Sequence, residues 1–215
     1  MNPGSLRLVL VRHGQTDANV RRELDSVPPG APLNDLGLSQ AQAVGERLAT
    51  HPVTGVYASR ATRAQQTAAP VAAAHGLDVV VHDGVHEVFI GDLEGRSDRE
   101  ARERFDVVYG AWWKGDLDAR LPCGESAHDL RARYLPVVER ITDGAHGDVV
   151  LVSHGAAIRL AAAALLGDTA ETLYVPNTGV VVLVPDPAMP GGWALDHWDS
   201  APPVPGDVTA GGTPR

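Results

Sequence analysis

The chain of 215 residues is poor in cysteine, in long hydrophobic runs and in positive charge, and each scarcity excludes a class of protein. Because Cys123 is the only cysteine, no internal disulfide is possible, which fits a reducing cytosol. No apolar run reaches the ~18 residues that a membrane helix needs. Residues 1–7 lack the apolar stretch of a signal peptide. We therefore expect a cytoplasmic protein without a membrane partner.

The shortage of positive charge limits the partners further. Lys and Arg total 18 against 27 Asp and Glu, which gives a formal net charge of -9. Nucleic-acid binding leaves a basic footprint, so we expect no nucleic-acid partner. The acidic field also repels anionic substrates at long range. An anion site on this chain therefore needs a local cluster of Arg and His side chains.

Short apolar runs alternate with helical patterns along a chain that is 44% hydrophobic. Strands are expected at 6–11, 54–59, 77–82, 148–153, 179–184 and 193–198, and helices at 32–49, 61–75, 99–105, 127–141 and 156–167. The expected helix caps are Asn34, Ser97, Ser126 and Gly76. This alternation predicts a three-layer α/β/α sandwich with a mostly parallel central sheet, closed by an antiparallel pair of strands. We expect one domain over 1–199 and a flexible Pro- and Gly-rich tail over 200–215.

Two of the predicted buried strands run directly into a histidine and a glycine. Arg12 and His13 follow the first strand, and His154 follows the strand at 148–153. Ligands bind beyond the carboxyl ends of parallel strands, so the two imidazoles share one crevice if these strands are neighbours. His-Gly is also an ordinary turn dipeptide, but its occurrence at two strand ends favours a site.

The chemistry of this group favours an anion over a metal. A metal site usually adds carboxylate or thiolate ligands, and the adjacent arginine opposes a cation. Arginine binds phosphate through two parallel donors. A neutral histidine in such a pocket is a competent nucleophile towards phosphorus.

Five segments in order, "VRHGQTDAN", "YASRATRAQQTA", "HEVFIGDLEG", "CGES" and "VSHGAAIR", together resemble the histidine phosphatase superfamily, also called the phosphoglycerate mutase-like family. The resemblance extends from about residue 6 to residue 184. It implies the phosphoglycerate mutase-like α/β fold and phosphoryl transfer without a metal or another cofactor. The resemblance also assigns roles to individual positions.

In this resemblance His13 is the nucleophile that becomes phosphohistidine, and Glu87 matches the proton donor to the leaving oxygen. The phosphate pocket is implied to consist of Arg12, Arg63 and His154, with Asn19 as a further donor. The other substrate-binding candidates are Gly14, Thr16, Arg21, Arg22 and Ala156. Arg60 competes with Arg63, and Glu94 competes with Glu87, but the family pattern selects Arg63 and Glu87.

Departures from the family pattern bear on the substrate. Glycolytic mutases resemble each other in a longer segment that carries an adjacent Arg-Arg pair, and residues 95–122 of this chain contain no such pair. The resemblance therefore favours a phosphatase acting on a small phosphorylated metabolite. A mutase, or a non-catalytic module that binds phosphorylated ligands, remains the alternative.

Three further segments each have two interpretations. Arg21 and Arg22 either reach a second anionic group or lie on the solvated surface. Phe105, Tyr109, Trp112 and Trp113 form either an apolar lid or ordinary core. The strand at 179–184 either pairs at an edge in a homodimer or completes the sheet.

Overall fold

The computed structural model describes residues 4–168 and 173–200. The strands are β1 (Arg7–Arg12), β2 (Val53–Ser59), β3 (Val79–His82), β4 (Asp148–Ser153), β5 (Val180–Pro185) and β6 (Trp193–Trp198). The helices are α1 (Asp17–Val20), α2 (Asp35–Leu48), α3 (Thr62–His75), α4 (Arg99–Trp112), α5 (Ala127–Thr142) and α6 (Gly155–Leu165). A short 3-10 turn occupies Gly91–Leu93. All but residue 200 of the predicted tail, 200–215, lies outside the described residues.

The strands form one mixed sheet in the order β3-β2-β4-β1-β5-β6. Strands β3, β2, β4 and β1 pair in parallel, whereas β5 pairs antiparallel with both β1 and β6. The predicted mostly parallel α/β fold and its closing antiparallel pair are thus confirmed. Because β5 is bonded on both sides, it completes the sheet and offers no free edge. The expected homodimer stays a prediction.

Helices cover both faces of the sheet, and the alternation along β1 shows how. Leu8 and Leu10 are fully buried in a cluster with residues of α5 and α6. Val9 and Val11 point the other way and are fully buried against α2 and α3. Each such side chain contributes roughly 1.5–3 kcal/mol on burial. The continuous apolar run therefore reflects a strand in the middle layer of three.

Local signals in the sequence explain most helix boundaries. Asn34 caps α2 by accepting from the Gly37 N–H at 2.9 Å, and Gly76 ends α3 with a left-handed φ of 64°. Ser126 begins α5 with a capping box. Both α3 and α5 continue through their internal prolines.

The predicted cap of α4 is wrong by one residue. Asp98, and not Ser97, caps this helix, because its Oδ1 accepts from the Ala101 N–H at 3.0 Å. A carboxylate at a helix N-terminus also interacts favourably with the helix dipole, which a hydroxyl does not. Within the described residues, no helix is both long and apolar enough to cross a membrane.

Candidate active site

The two histidines lie side by side where β1 and β4 end. The strands are parallel neighbours with Arg12 opposite Ser153, and the His13 N–H donates to the Ser153 carbonyl at 3.0 Å. The ring centroids of His13 and His154 are 5.1 Å apart. The strand order therefore brings together the two imidazoles that sequence reasoning predicted would share a crevice.

His13 is held in one tautomer by the backbone. Its Nδ1 lies 2.7 Å from the carbonyl oxygen of Gly14, so this nitrogen carries the proton and donates it. The lone pair is therefore on Nε2, which accepts from Arg63 Nε at 3.2 Å. The imidazole presents Nε2 as a nucleophile.

His154 has the reverse arrangement, through a serine that sequence reasoning missed. The Ser59 hydroxyl lies 2.7 Å from His154 Nε2, and Ser59 Oγ itself accepts from the Ala61 N–H at 3.3 Å. Ser59 is thus the partner of His154 Nε2. Within the described residues, the buried Nδ1 of His154 has no hydrogen-bond partner. A buried polar atom without a partner costs about 1–3 kcal/mol.

Arg63 is the buried arginine of the α3 motif, and Asp25 fixes its position. Its Nη1 donates to Asp25 Oδ2 at 3.0 Å and its Nη2 to the Asp25 carbonyl at 2.8 Å. Gly30 makes this pairing possible, because a Cβ there would lie 2.2 Å from Arg63 Nη1. Arg60, the competing candidate, is exposed and pairs with Asp83.

Arg12, directly before His13 in the chain, is fully buried. Its Nη1 donates to the Tyr174 hydroxyl and to the Val175 carbonyl, both at 2.9 Å. Its guanidinium also lies over the Tyr174 ring, 5.7 Å from the centroid. The two guanidinium groups therefore flank His13 from different elements, and each is fixed by long-range partners.

Asn19 and Thr16 form the capping box of α1. The Asn19 N–H donates to Thr16 Oγ1 at 3.1 Å, and the Thr16 N–H donates to Asn19 Oδ1 at 3.2 Å. Asn177 Nδ2 also approaches Asn19 Oδ1 at 3.4 Å and donates to the His13 carbonyl at 2.9 Å. Asn19 thus keeps its own Nδ2 as the donor for the cavity, whereas Thr16 supports the loop.

Gly14 lies where the β1 loop crosses α2. Its N–H donates to Thr67 Oγ1 at 3.0 Å, and a Cβ on Gly14 would lie 2.7 Å from the Gly37 carbonyl oxygen. Only glycine permits this approach without a shift of the backbone. Gly14 therefore contributes through its carbonyl group and its small size.

Glu87 lies against the N-terminus of α6. Its Oε1 accepts from the N–H groups of Val88 and Ala157, both at 2.9 Å, and its Oε2 accepts from the Ala156 N–H at 3.1 Å. The Ala156 amide, predicted to bind substrate, is therefore bonded to Glu87. These bonds hold the carboxylate at the wall of the cavity.

An ion pair that sequence reasoning missed fixes the loop that carries Glu87. Arg133 donates to the carbonyl groups of Gly84, His86 and Glu87 at 2.7–2.9 Å, and its Nε and Nη2 bind both oxygens of Glu125. Glu125 belongs to the "CGES" segment, which gives that segment a structural role. Glu94, the competitor of Glu87, instead accepts from the backbone and hydroxyl of Ser26.

Several of the predicted site residues line a cavity of about 70 Å³, which is room for several water molecules or a phosphoryl group. It is lined by Arg12, His13, Asn19, Glu23, Leu24, Asp25, Ser26, Arg63, Glu87, Val88, Ile90, Phe105, Tyr109, Gly155 and Ala156. Gly14, Thr16 and His154 are not among these lining residues. Arg21 and Arg22 are exposed and do not line it; Arg21 pairs with Glu23 at 2.8 Å. The structure therefore does not bring these two predicted residues into the cavity.

The aromatic segment of α4 divides between the cavity and the core. Phe105 and Tyr109 line the cavity with their rings stacked 5.4 Å apart. Trp112 is buried, and its Nε1 donates to the Ala119 carbonyl at 2.7 Å. Both sequence interpretations, a wall of the pocket and ordinary core, thus apply to different members of the segment.

Burial and positive charge act together on the two imidazoles. Burial, then Arg63 and Arg12, hold the pKa of His13 well below its usual value of 6.5. Burial, Arg63 and the neighbouring His13 likewise hold the pKa of His154 well below 6.5. Both imidazoles are therefore neutral near pH 7 in the free protein.

These depressed pKa values predict the acidic limb of the pH profile. Protonation of His13 removes the lone pair of Nε2, so kcat/KM falls only as the pH drops through the lowered pKa of the free protein. We expect this limb to lie well below pH 6.5. The measurement is the pH dependence of kcat/KM for two phosphate esters whose own phosphate pKa values differ. A limb that both profiles share belongs to the protein, whereas a limb that moves with the ester belongs to the substrate. A shared limb at pH 6.5 or above would contradict the assignment.

The arrangement is suited to binding and attacking a phosphoryl group. A transferring phosphoryl group spreads negative charge over its equatorial oxygens, which two arginines and neutral N–H donors stabilise. Among the described residues, no group of three His, Cys, Asp or Glu side chains is arranged to hold a metal ion. The site thus has a nucleophile, cationic donors and a carboxyl group around one cavity.

Comparisons of the sequence and of the fold with known proteins identify the family of this chain. The sequence model described as "Histidine phosphatase superfamily (branch 1)" matches residues 8–200. Phosphoglycerate mutase-like protein 4 of Arabidopsis thaliana is 36% identical over 71% of this chain and 67% of its own length. PE-PGRS family protein PE_PGRS11 of Mycobacterium tuberculosis is 29% identical over 96% of this chain, which spans only 38% of that protein. A solved structure of mycobacterial glucosyl-3-phosphoglycerate phosphatase with VO3 superposes with a TM-score of 0.77 at 28% identity, covering 91% of this chain and 99% of that one.

Proposed function

Because this chain belongs to branch 1 of the histidine phosphatase superfamily, we propose that it hydrolyses phosphomonoesters of small metabolites through a phosphohistidine intermediate on His13. The observation that carries the proposal is the environment of His13. Its Nδ1 proton is bound to the Gly14 carbonyl, and its Nε2 lies 3.2 Å from Arg63 Nε. The nucleophilic nitrogen thus faces the same space as the cationic donors.

In the first step Nε2 of His13 attacks phosphorus, and the bond between phosphorus and the ester oxygen breaks. Arg12, Arg63, Asn19 and His154 bind the equatorial oxygens, which carry most of the charge in the transition state. The leaving alkoxide takes a proton from the carboxyl group of Glu87. The alcohol leaves, and the phosphoryl group stays on His13.

In the second step a water molecule attacks phosphohistidine and the N–P bond breaks. The Glu87 carboxylate accepts the proton of the attacking water, which restores the acid for the next cycle. Inorganic phosphate is then released and His13 is again neutral. No step in this sequence draws on a metal ion, and we propose metal-independent catalysis.

A mutase activity is the second candidate, because the Arabidopsis relative has a mutase-like name. In that reaction the phosphoryl group on His13 returns to a hydroxyl of the substrate and water is excluded. The mycobacterial structural relative, by contrast, is named a phosphatase. We favour hydrolysis and place it in the cytoplasm, the compartment expected from the single cysteine.

The test is phosphate release from a panel of phosphomonoesters, with and without EDTA, beside conversion of 3-phosphoglycerate to 2-phosphoglycerate. We expect phosphate release from at least one ester at a rate that EDTA does not change. Isomer conversion with little free phosphate would establish the mutase instead. An absence of both reactions, with bound but unreacted phosphate ester, would establish a binding module. Inhibition by EDTA would contradict metal independence.

A further inference from the structure

The cavity wall beyond the phosphoryl position is largely apolar. Leu24, Val88 and Ile90 line one part of it, and the stacked rings of Phe105 and Tyr109 line another. Val88 and Ile90 follow Glu87 directly in the chain, so the apolar wall adjoins the proposed proton donor to the leaving oxygen. The leaving group must therefore contact this wall while its oxygen accepts the proton.

Apart from Arg12 and Arg63, the charged side chains among the described lining residues are acidic: Glu23, Asp25 and Glu87. Asp25 is bonded to Arg63 and to the Ala31 N–H, so it belongs to the phosphoryl end. Glu23 pairs with Arg21 at the exposed rim. Beyond the two arginines at the phosphoryl position, the described lining therefore offers a second anionic group a rim carboxylate and no further cation.

The cations of the cavity wall are already directed to the phosphoryl position. Among the described lining residues, the arginines are Arg12 and Arg63, and these flank His13. The next arginine along α6, Arg159, donates to the Tyr109 hydroxyl at 2.5 Å and lies 4.6 Å from the Trp113 ring centroid. Its guanidinium is thus held behind Tyr109 and outside the cavity lining.

From these three features we propose that the substrate is a phosphate monoester of an uncharged, largely apolar alcohol, and that esters with a second anionic group are poor substrates. This inference rests on the proposed phosphatase function and specifies its substrate class. Apolar contact with Phe105 and its neighbours favours the first kind of ester, because the wall is desolvated when the leaving group binds. Like-charge approach to Glu23, without a further lining cation to offset it, disfavours the second kind.

The test uses four phosphate esters of primary alcohols, so that the intrinsic leaving-group reactivity stays similar. They are 3-phenylpropyl phosphate, n-butyl phosphate, 3-carboxypropyl phosphate and 3-phosphoglycerate, in which the primary hydroxyl of glycerate is esterified. We expect kcat/KM for the phenylpropyl ester to exceed that for the carboxypropyl ester by about 100-fold. The butyl ester should fall between them, and 3-phosphoglycerate should be as poor as the carboxypropyl ester.

Two variants assign this preference to the wall. Glu23→Gln removes one rim carboxylate and should raise the ratio of kcat/KM for carboxypropyl over butyl phosphate by about 10-fold. Phe105→Ala should lower the ratio for phenylpropyl over butyl phosphate by about 10-fold. Glu46→Gln, the same charge change on exposed α2, should alter neither ratio. Because Glu23 is at the rim, its replacement leaves the core intact even if Phe105→Ala folds poorly.

The failures of the two proposals are distinct. Phosphate release from all four esters with equal or higher kcat/KM for the anionic ones would overturn the substrate class and leave the phosphatase function intact. An unchanged ratio in Glu23→Gln would likewise overturn the role of the acidic rim. No phosphate release from any ester would overturn the phosphatase function, and this inference with it.

Discussion

Replacement of His13 by alanine is expected to lower phosphate release to below about one per cent of the wild-type rate, since loss of a catalytic nucleophile typically costs several orders of magnitude. Among the described residues that line the cavity, His13 is the imidazole, and no cysteine is present. His154, the neighbouring imidazole, is not one of these lining residues, and its Nε2 lies 2.7 Å from the Ser59 hydroxyl. His13 is therefore the imidazole placed for attack.

The measurement needs a folding control, because His13 is buried and bonded to both Gly14 and Arg63. The exposed His128 offers a matched substitution, and His128→Ala should retain wild-type activity. Circular dichroism and the thermal midpoint check that His13→Ala is folded. In the wild type, an alkaline quench during turnover should preserve a phosphoryl adduct that maps to His13. Residual activity above about one per cent in folded His13→Ala would indicate another nucleophile.

The position of the site was predictable because it follows from strand order. The buried runs predicted β1 and β4, and the shared crevice was conditional on these strands being neighbours, which their parallel pairing shows. Parallel strands end at the same edge of a sheet. The same rule applies to β2, which pairs with β4 and ends at Ser59, the partner of His154. Applied to every predicted parallel strand, this rule places Ser59 at the same edge of the sheet as the two histidines. The serine was missed because a hydroxyl at a strand end, unlike His-Gly at two strand ends, has no distinctive sequence pattern.

The remaining omissions share a physical cause. Asp25 meets Arg63 across 38 residues, and Arg133 meets the Glu87 carbonyl across 46 residues. Such pairs depend on how loops pack, and no local spacing encodes them.

The cap of α4 was missed for a different reason. Ser97 and Asp98 are both residue types that cap helices well, and local rules choose poorly between adjacent candidates. Arg21 and Arg22 were left open between a second anionic group and the surface, since charge in a loop does not show which way the side chain points.

Replacement of Glu87 by glutamine should slow alkyl phosphate hydrolysis by roughly 10²–10³-fold, because general acid catalysis contributes roughly 10²–10⁴-fold where the leaving group needs a proton. Hydrolysis of an aryl phosphate should slow by about 10-fold or less. An aryl oxide leaves without that proton, so its first step is nearly independent of the acid. Rates with alkyl and aryl esters in the same variant therefore separate proton donation from phosphate binding. Equal losses on both ester types would contradict the role of Glu87 as proton donor.

The hydrogen bonds of Glu87 require a second variant. Its carboxylate accepts from Val88, Ala156 and Ala157, and a glutamine amide nitrogen cannot accept from any of these N–H groups. Glu87→Ala removes both acceptor oxygens, with their three hydrogen bonds, and the acid together. A loss due to disturbed α6 should therefore be larger in Ala than in Gln and should affect aryl esters as well. The same alkyl-over-aryl difference in both variants assigns the effect to the proton. Glu46→Gln, on exposed α2, serves as the matched surface control.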